Sequence, residues 1–204
     1  MRKIIVYIAI SADGYIARKD GSVDWLDRPR TAGDYGMSAF FKTIDTILFG
    51  RKTWQVGQEM AAADEEAARA IESAHKGVKS YVFTTHPHLS KTSGAEFVDE
   101  PVSKFAKRLR RRQGKDIWMM GGGGIIASFL DANEIDEFII HVIPVFIGEG
   151  IPLIAPRHRT VPLKLRSVKS FSDGVVRLHY EVLRVASPKT KRKRARTDRK
   201  PRPR

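Results

Sequence analysis

Apolar runs rich in β-branched residues alternate with more polar segments along most of the chain. The runs are short and are bounded by turn or charged residues, which is typical of buried strands. The segments between them are amphipathic or rich in alanine and glutamate, which favours helices. We predict helices at residues 34–43, 64–74, 101–112 and 124–132. The predicted strands are residues 3–11, 45–50, 79–84, 116–120 and 135–143.

The end of the patterned region predicts a hairpin. Residues 163–171 and 175–185 have the pattern of two strands, and Ser172-Asp173-Gly174 between them carries an Asp-Gly turn signal. Strands that alternate with helices form βαβ units and a largely parallel sheet, to which the hairpin adds antiparallel strands. The predicted fold class is therefore α/β, with a mostly parallel central sheet flanked by helices and an antiparallel C-terminal hairpin.

Charge divides the 204-residue chain into a domain and a tail. The formal net charge is +14, and residues 187–204 contribute ten basic side chains and one acid, a net of +9. Such a segment cannot bury enough apolar surface to offset the entropy of ordering it. We predict one domain at residues 1–185 and a disordered basic tail at residues 186–204. The tail is either a solvated extension or a non-specific, salt-sensitive contact for nucleic acid.

Composition excludes several kinds of site. The chain has no cysteine, which excludes disulfides, a thiol nucleophile and thiolate metal sites. Its six histidines show no ligand spacing on one face, so we predict no metal. The longest uncharged apolar run that lacks a glycine cluster, residues 138–148, is too short to span a bilayer. We expect a cytoplasmic protein that makes no membrane contact.

A glycine run connects a predicted strand to a predicted helix. Residues without a Cβ let a pyrophosphate lie against backbone N–H groups at the positive end of a helix. The spacing matches neither the dinucleotide-binding fingerprint nor the P-loop. The same run could instead provide a tight turn with close packing of helix on sheet. The residues concerned are Gly121, Gly122, Gly123, Gly124 and Ile125.

Two more strand ends carry groups that suit an anion. One has two cations and a hydroxyl after a glycine, at the carboxyl end of a strand where ligands bind in open α/β sheets. These residues could instead be a solvated helix start, although cations there oppose the helix dipole unless an anion is bound. The other has two threonine hydroxyls followed by His86, although such a stretch is often a simple turn. The residues concerned are Gly50, Arg51, Lys52, Thr53, Thr84 and Thr85.

Two acids and three aromatic residues are candidates for binding a substrate or transferring a proton to it. Asp13 follows the first strand and could assist proton transfer, or it could be a turn residue in an Asp-Gly pair. Asp34 beside Trp25, Phe40 and Phe41 could bind the N–H edge of a heterocycle, with its pKa raised by burial. Asp34 also has the sequence context of a helix N-cap.

Taken together, these segments resemble the dihydrofolate reductase-like superfamily, in the branch of the reductase domain of the riboflavin-biosynthesis deaminase–reductase. The order and spacing of the segments are specific, although each alone is weak. Dihydrofolate reductases proper keep a carboxylate in their first long helix, and the position of Asp34 does not align cleanly with it. We expect the reductase without the deaminase. The segments that carry the resemblance are residues 11–17, 23–26, 44–54, 82–85, 121–124, 136–138 and 144–153.

The resemblance implies an NADPH-dependent reductase of a pteridine- or pyrimidine-type small molecule, and a homodimer. In such proteins the turn at residues 50–53 and the pair Thr84-Thr85 hold the adenosine 2′-phosphate side, and the glycine run holds the pyrophosphate. Valine at Gly123 should then abolish cofactor binding and spare the fold. Two alternatives stay open: a nucleic-acid-associated protein that acts through its tail, and a nucleotide-binding relative without activity.

Overall fold

The architecture is taken from a computed structural model, which describes residues 1–29, 31–65, 68–69, 72, 76–85 and 94–184. The predicted basic tail, most of the helix predicted at residues 64–74, and His86 lie outside these residues. The described strands are β1 Ile4–Ser11, β2 Tyr15–Ala17, β3 Ile44–Gly50, β4 Lys79–Phe83, β5 Glu96–Val98, β6 Asp116–Gly121, β7 Glu137–Ile143, β8 Ile151–Pro152, β9 Leu163–Ser170 and β10 Val176–Val182. The described helices are α1 Met37–Phe41, α2 Arg51–Ala63, α3 Val102–Arg110 and α4 Gly123–Asp131.

Eight of the strands form one sheet in the order β5-β4-β3-β6-β1-β7-β10-β9. The first six pair in parallel, whereas β10 pairs antiparallel with both β7 and β9. The predicted α/β fold class with its antiparallel C-terminal hairpin is therefore confirmed. The short strands β2 and β8 pair with each other in a separate small sheet.

Side chains of the central strands point alternately to the two faces of the sheet, and the core therefore has two layers. Ile4 and Val6 on β1 face the layer that contains helices α3 and α4. Ile5 and Tyr7 face the opposite layer, which contains Phe40 of α1 and Trp54 of α2. Successive side chains of a strand point to opposite faces, so a strand buried on both faces is apolar along its whole length. This explains why the central strands were visible as continuous apolar runs.

The helices depart from prediction in two places. Helix α2 begins directly after β3, at Arg51, where a helix start was considered but no helix range was predicted. Helix α1 starts later than predicted because Tyr35 and Gly36, inside the predicted range, have positive φ, at 55° and 93°, which a right-handed helix does not allow. Strands β2, β5 and β8 have three residues or fewer, too few to produce a pattern.

The hairpin forms the outer end of the sheet. Strand β9 is the edge strand, and all eight of its residues are exposed. Leu165 and Val168 are 51% and 56% exposed, so this open edge presents apolar side chains beside the charged Lys164, Arg166 and Lys169. The homodimer stays a prediction.

Candidate functional site at the carboxyl edge of the sheet

Three adjacent strands end together at one edge of the sheet. Gly50 at the end of β3 pairs with Phe83 at the end of β4, and Phe49 pairs with Gly121 at the end of β6. The residues that follow these strands therefore lie side by side at what we call the carboxyl edge. All three segments predicted to hold an anion begin there.

The segments that follow β3 and β6 approach each other closely at this edge, around their glycines and Thr53. A Cβ on Gly50 would lie 3.4 Å from Cγ2 of Ile125 and 3.6 Å from the carbonyl oxygen of Gly121. A Cβ on Gly122 would lie 3.2 Å from the Thr53 hydroxyl oxygen. The peptide bond between Gly121 and Gly122 is cis. The structure thus brings five of the predicted cofactor residues into direct proximity.

The last two glycines of the run have different surroundings. A Cβ on Gly123 would lie 2.4 Å from the carbonyl oxygen of Pro152, and the Gly123 carbonyl accepts a 3.1 Å hydrogen bond from the N–H of Ala155. A Cβ on Gly124 would meet nothing within 4 Å. Close packing therefore accounts for Gly123, whereas Gly124 borders open space. The expectation that valine at Gly123 would spare the fold is contradicted by this contact.

Two helices begin at the carboxyl edge. Helix α2 starts at Arg51 and helix α4 at Gly123, and neither has a side-chain cap or an acid in its first turn. First-turn N–H groups lack intrahelical acceptors and carry the positive end of the helix dipole. Both helices therefore present a positive end to the edge at which the glycines approach closely.

The cations and threonines lie on the β3–β4 side of this edge. Nε of the partly exposed Arg51 lies 3.4 Å from Oε1 of Gln55, a weak contact, and Lys52 is exposed. The N–H of Thr84 donates a 3.0 Å hydrogen bond to the carbonyl of Val98, which holds the loop after β4 beside β5. Thr85, the next residue, is exposed. Because β3 and β4 are neighbours, these four predicted residues belong to one side of the edge.

The sheet opens between β1 and β6. The pairing of these strands ends at Val6 and Met119, whereas β1 continues to pair with β7 as far as Ser11 and Ile143. The two strands therefore separate toward the carboxyl edge and leave a gap in its middle. Open α/β sheets bind ligands in such crevices at the carboxyl ends of strands.

Asp13 anchors the loop after β1. It accepts a 2.5 Å hydrogen bond from the Ser11 hydroxyl and a 2.7 Å hydrogen bond from the N–H of Gly148. These hydrogen bonds, chiefly the one from Ser11, lower the pKa of its carboxyl group. The turn interpretation of Asp13 accounts for these contacts, and an ionised Asp13 has no proton to donate at neutral pH.

Asp34 caps the turn before α1. Its two carboxylate oxygens each accept a 2.8 Å hydrogen bond, one from the N–H of Gly36 and one from the N–H of Ser38. Hydrogen bonding to the Ser38 side chain, reinforced by these N–H groups, lowers its pKa to about 2. The expected rise by burial is wrong, because the carboxylate is exposed and is surrounded by donors.

Asp34→Asn should reduce stability at neutral pH and have little effect near pH 2. The folded-state pKa of about 2 lies below the ordinary 3.8, so the charge stabilises the fold above pH 4. That contribution is lost as the pH falls through 2. Urea unfolding at pH 7, 4 and 2 measures the difference, with the exposed Asp27→Asn as control. A stability difference between Asp34→Asn and wild type that is the same at all three pH values would contradict the capping role.

Two of the three predicted substrate-binding aromatic residues, Trp25 and Phe40, are buried, and Phe41 is partly buried against the core. Phe40 stacks on Tyr7 with ring centroids 4.4 Å apart, and Phe41 meets the edge of Trp118 at 5.3 Å. Trp25 is 8% exposed, and its Nε1 has no hydrogen-bond partner among the described residues. These rings therefore contribute to packing, and their contact with a substrate stays a prediction.

A cavity of about 90 Å³ lies on the α1 face of the sheet, over strands β1 and β7. We call it the β1–β7 cavity. The carbonyl oxygen of Tyr35 closes one side, and lies 3.3 Å from both the Tyr7 hydroxyl and His141 Nε2, and 3.4 Å from Nη1 of Arg177. The lining residues are Tyr7, Ala9, Leu26, Arg28, Tyr35, His141 and Ile143.

This cavity was not predicted, although two of its lining residues stand out in the sequence. Tyr7 and His141 are polar rings inside otherwise apolar strands, and Ala9 pairs with His141 two residues beyond Tyr7. Parallel pairing of β1 with β7 would have placed both rings on one face. Arg28 and Tyr35 come from a connection without a periodic pattern, so no sequence signal placed them there.

The described residues contain neither a metal-ligand cluster nor a helix suited to a membrane. In the part of the chain that the structure describes, no group of three or more His, Cys, Asp or Glu side chains could hold a metal ion. None of the described helices combines the length and the apolar character needed to cross a membrane.

Two relatives from Bacillus subtilis (strain 168) share most of the chain. The uncharacterized protein YwjB is 37% identical over 179 residues, which cover 88% of this chain and 97% of YwjB. The uncharacterized protein YyaP is 33% identical over 181 residues, which cover 88% of this chain and 94% of YyaP. The similarity therefore extends over nearly the whole length of both proteins.

Solved structures share the fold. A putative riboflavin biosynthesis protein from Shewanella sp. PV-4 superposes with a TM-score of 0.74 at 23% identity, over 89% of this chain and 99% of that one. A diaminohydroxyphosphoribosylaminopyrimidine deaminase/5-amino-6-(5-phosphoribosylamino)uracil reductase from Thermotoga maritima superposes with a TM-score of 0.66 at 16% identity, over 89% of this chain and 57% of that one. The model of the RibD C-terminal domain family matches residues 2–177. The chain thus belongs to the RibD C-terminal domain family, a branch of the dihydrofolate reductase-like superfamily.

Proposed function

We propose that the protein is an NADPH-dependent reductase of a pyrimidine-type small molecule. The observation that carries the proposal is the convergence of separate segments on the carboxyl edge. The glycine contacts, two helix starts and the cations of Arg51 and Lys52 all lie there, beside the gap between β1 and β6. A dinucleotide phosphate needs such a combination of close backbone approach and positive charge.

The residues of this edge fit NADPH. Gly122 and Gly124 border the start of α4, where backbone N–H groups would hold the pyrophosphate, and a side chain on Gly124 would enter open space. Arg51 and Lys52, with the threonines after β4, would hold the adenosine 2′-phosphate. A guanidinium can bind phosphate oxygens in a bidentate manner, whereas an ammonium acts as a point charge.

The β1–β7 cavity is the proposed substrate side. Its polar side chains are hydroxyls, an imidazole and a guanidinium, and no Asp or Glu is among the described residues that line it. A pteridine held through its N–H edge needs a carboxylate, and Asp34 is occupied in capping the turn. The structural relative from Thermotoga maritima is named as a 5-amino-6-(5-phosphoribosylamino)uracil reductase, and we propose that compound as the first substrate to test.

The protein itself would position the two reactants and exclude water from them. NADPH, when bound, supplies a hydride. The gap between β1 and β6 would place the reacting groups next to the cavity, whose walls include Leu26, Ala9 and Ile143. Apolar walls exclude water, and positioning removes much of the entropic cost of bringing two reactants together.

A spectrophotometric assay tests the proposal. Purified protein is mixed with NADPH and 5-amino-6-(5-phosphoribosylamino)uracil, and the absorbance of NADPH at about 340 nm is followed, with dihydrofolate as the comparison substrate. We expect NADPH consumption with the pyrimidine and a product heavier by two hydrogens. Reduction of dihydrofolate alone would overturn the substrate assignment. No turnover of either compound by a protein that binds NADPH would favour a non-catalytic nucleotide-binding relative.

A second function is favoured by the composition of residues 187–204, with ten basic side chains and one acid. We propose that this segment contacts nucleic acid through phosphates and without sequence preference. Such binding releases counterions, so the affinity of the full chain for a DNA fragment should fall by roughly 1,000-fold or more between about 50 and 200 mM salt. Filter binding at several salt concentrations measures this, and salt-independent retention would argue against the proposal.

A further inference from the structure

Tyr7 lines the β1–β7 cavity, next to the point where the pairing of β1 with β6 ends. Val6 is the last β1 residue that pairs with β6, and Tyr7 is the next residue along the strand. Its ring is fixed between neighbours, stacked on Phe40 at 4.4 Å and tilted against His141 at 4.8 Å. Tyr7 and His141 are each only 4% exposed. The position of the hydroxyl is therefore set by packing.

The hydrogen bonds of this hydroxyl are long. It lies 3.3 Å from the carbonyl oxygen of Tyr35 and 3.4 Å from Nε2 of His141. Hydroxyl hydrogen bonds in proteins are usually between 2.5 and 3.0 Å. The O–H can therefore rotate toward an acceptor that enters the cavity without losing a strong bond.

We propose that Tyr7 is the proton donor of the reductase and that His141 holds its hydroxyl and returns the proton. This inference rests on the proposed function. The carbon of a substrate C=N or C=O bond takes a hydride, and the π electrons move to the nitrogen or oxygen. That atom takes the proton of the Tyr7 O–H, and the tyrosinate is reprotonated from solvent through His141. The net reaction consumes one hydride and one proton.

The surroundings of the pair agree with these roles. Burial raises the pKa of Tyr7 to about 12, against a smaller lowering by Arg177 and a further rise from Asp34, so the hydroxyl keeps its proton at neutral pH. Burial, with Arg177, lowers the pKa of His141, so its imidazole is neutral and would pass a proton on to the tyrosinate rather than hold it. Arg28 lines the cavity as a further cation. The carboxylates of Asp13 and Asp34 are ionised and hydrogen-bonded elsewhere.

Tyr7→Phe tests the donor, since it removes the hydroxyl and keeps the ring. With NADPH and 5-amino-6-(5-phosphoribosylamino)uracil, kcat should fall by about 100-fold or more, while KM and the Kd for NADPH stay within about threefold of wild type. Tyr180→Phe on β10 removes a hydroxyl elsewhere on the sheet and should behave as wild type. Wild-type kcat in Tyr7→Phe would overturn the inference and leave the proposed reductase intact.

His141→Gln tests the second role. Glutamine can still hydrogen-bond to Tyr7 but cannot carry a proton, so kcat should fall, and its pH dependence should change, with KM unaltered. Wild-type kcat and pH profile in this variant would remove His141 from the proton path.

Nuclear magnetic resonance tests the pair without turnover. The Nε2 resonance of His141, assigned by its loss in His141→Gln, should shift and titrate differently in Tyr7→Phe and stay unchanged in Tyr180→Phe. An unchanged resonance in Tyr7→Phe would show that the two side chains do not interact and would overturn the inference. If wild type reduces no substrate, the proposed function fails, and this measurement still decides whether the pair exists.

Discussion

Replacing Arg51 with alanine should weaken NADPH binding by roughly 10- to 150-fold, about 1.5–3 kcal/mol, and leave NADH binding nearly unchanged. The reason is the position of Arg51 in the first turn of α2, beside Lys52 and without an acid in that turn. A charge-assisted contact with the 2′-phosphate would be lost, and NADH has no such phosphate. Calorimetric titration of both cofactors measures the change in each Kd.

The matched control for this prediction is Arg111→Ala. Arg111 is an exposed arginine that follows α3. Its replacement changes the net charge of the protein equally, so it reports any general electrostatic effect. Equal weakening of NADPH and NADH by Arg51→Ala would contradict the assignment of the 2′-phosphate to this turn.

Valine should have opposite effects at two adjacent glycines. Gly123→Val forces a side chain against the Pro152 carbonyl, 2.4 Å from the Cβ position, and should destabilise the fold by about 3 kcal/mol or more. Gly124→Val meets no atom within 4 Å of its Cβ and should fold with nearly wild-type stability. If the pyrophosphate lies at the start of α4, Gly124→Val nevertheless loses NADPH binding.

Thermal unfolding and calorimetric titration of both variants check this pair of predictions. A stable Gly123→Val protein would show that the segment at residues 152–155 can shift to accommodate the valine side chain at little cost. Normal NADPH binding by a stable Gly124→Val protein would place the pyrophosphate elsewhere, and the glycine run would then serve packing alone.

The sequence was most informative about the sheet and its carboxyl edge. Continuous apolar runs arise because β1, β3 and β6 are buried on both faces, and this pattern is visible without a structure. Ligands in open α/β folds lie at the carboxyl ends of strands, so residues after each run were good candidates. The proximity of Gly50, Thr53 and Gly122 agrees with that reasoning.

The sequence was less informative where the role of a residue depends on distant neighbours. Asp34 has the same local context whether it caps a turn or faces a ligand, and only the donors around it distinguish the two. Gly123 and Gly124 are identical in sequence terms, and a segment some 30 residues later separates their roles. Tyr7 and His141 are in contact although 134 positions separate them in the sequence, and their contact depends on which strands are neighbours.

Titration of the wild-type protein with NADPH and with NADH tests the central claim most directly, because it asks whether the carboxyl edge is a binding site for NADPH. Isothermal calorimetry at physiological salt should show one NADPH bound per chain and a clearly higher Kd for NADH. No heat of binding with NADPH, or equal affinity for the two cofactors, would contradict the assignment of the glycine run and the Arg51 turn to this cofactor.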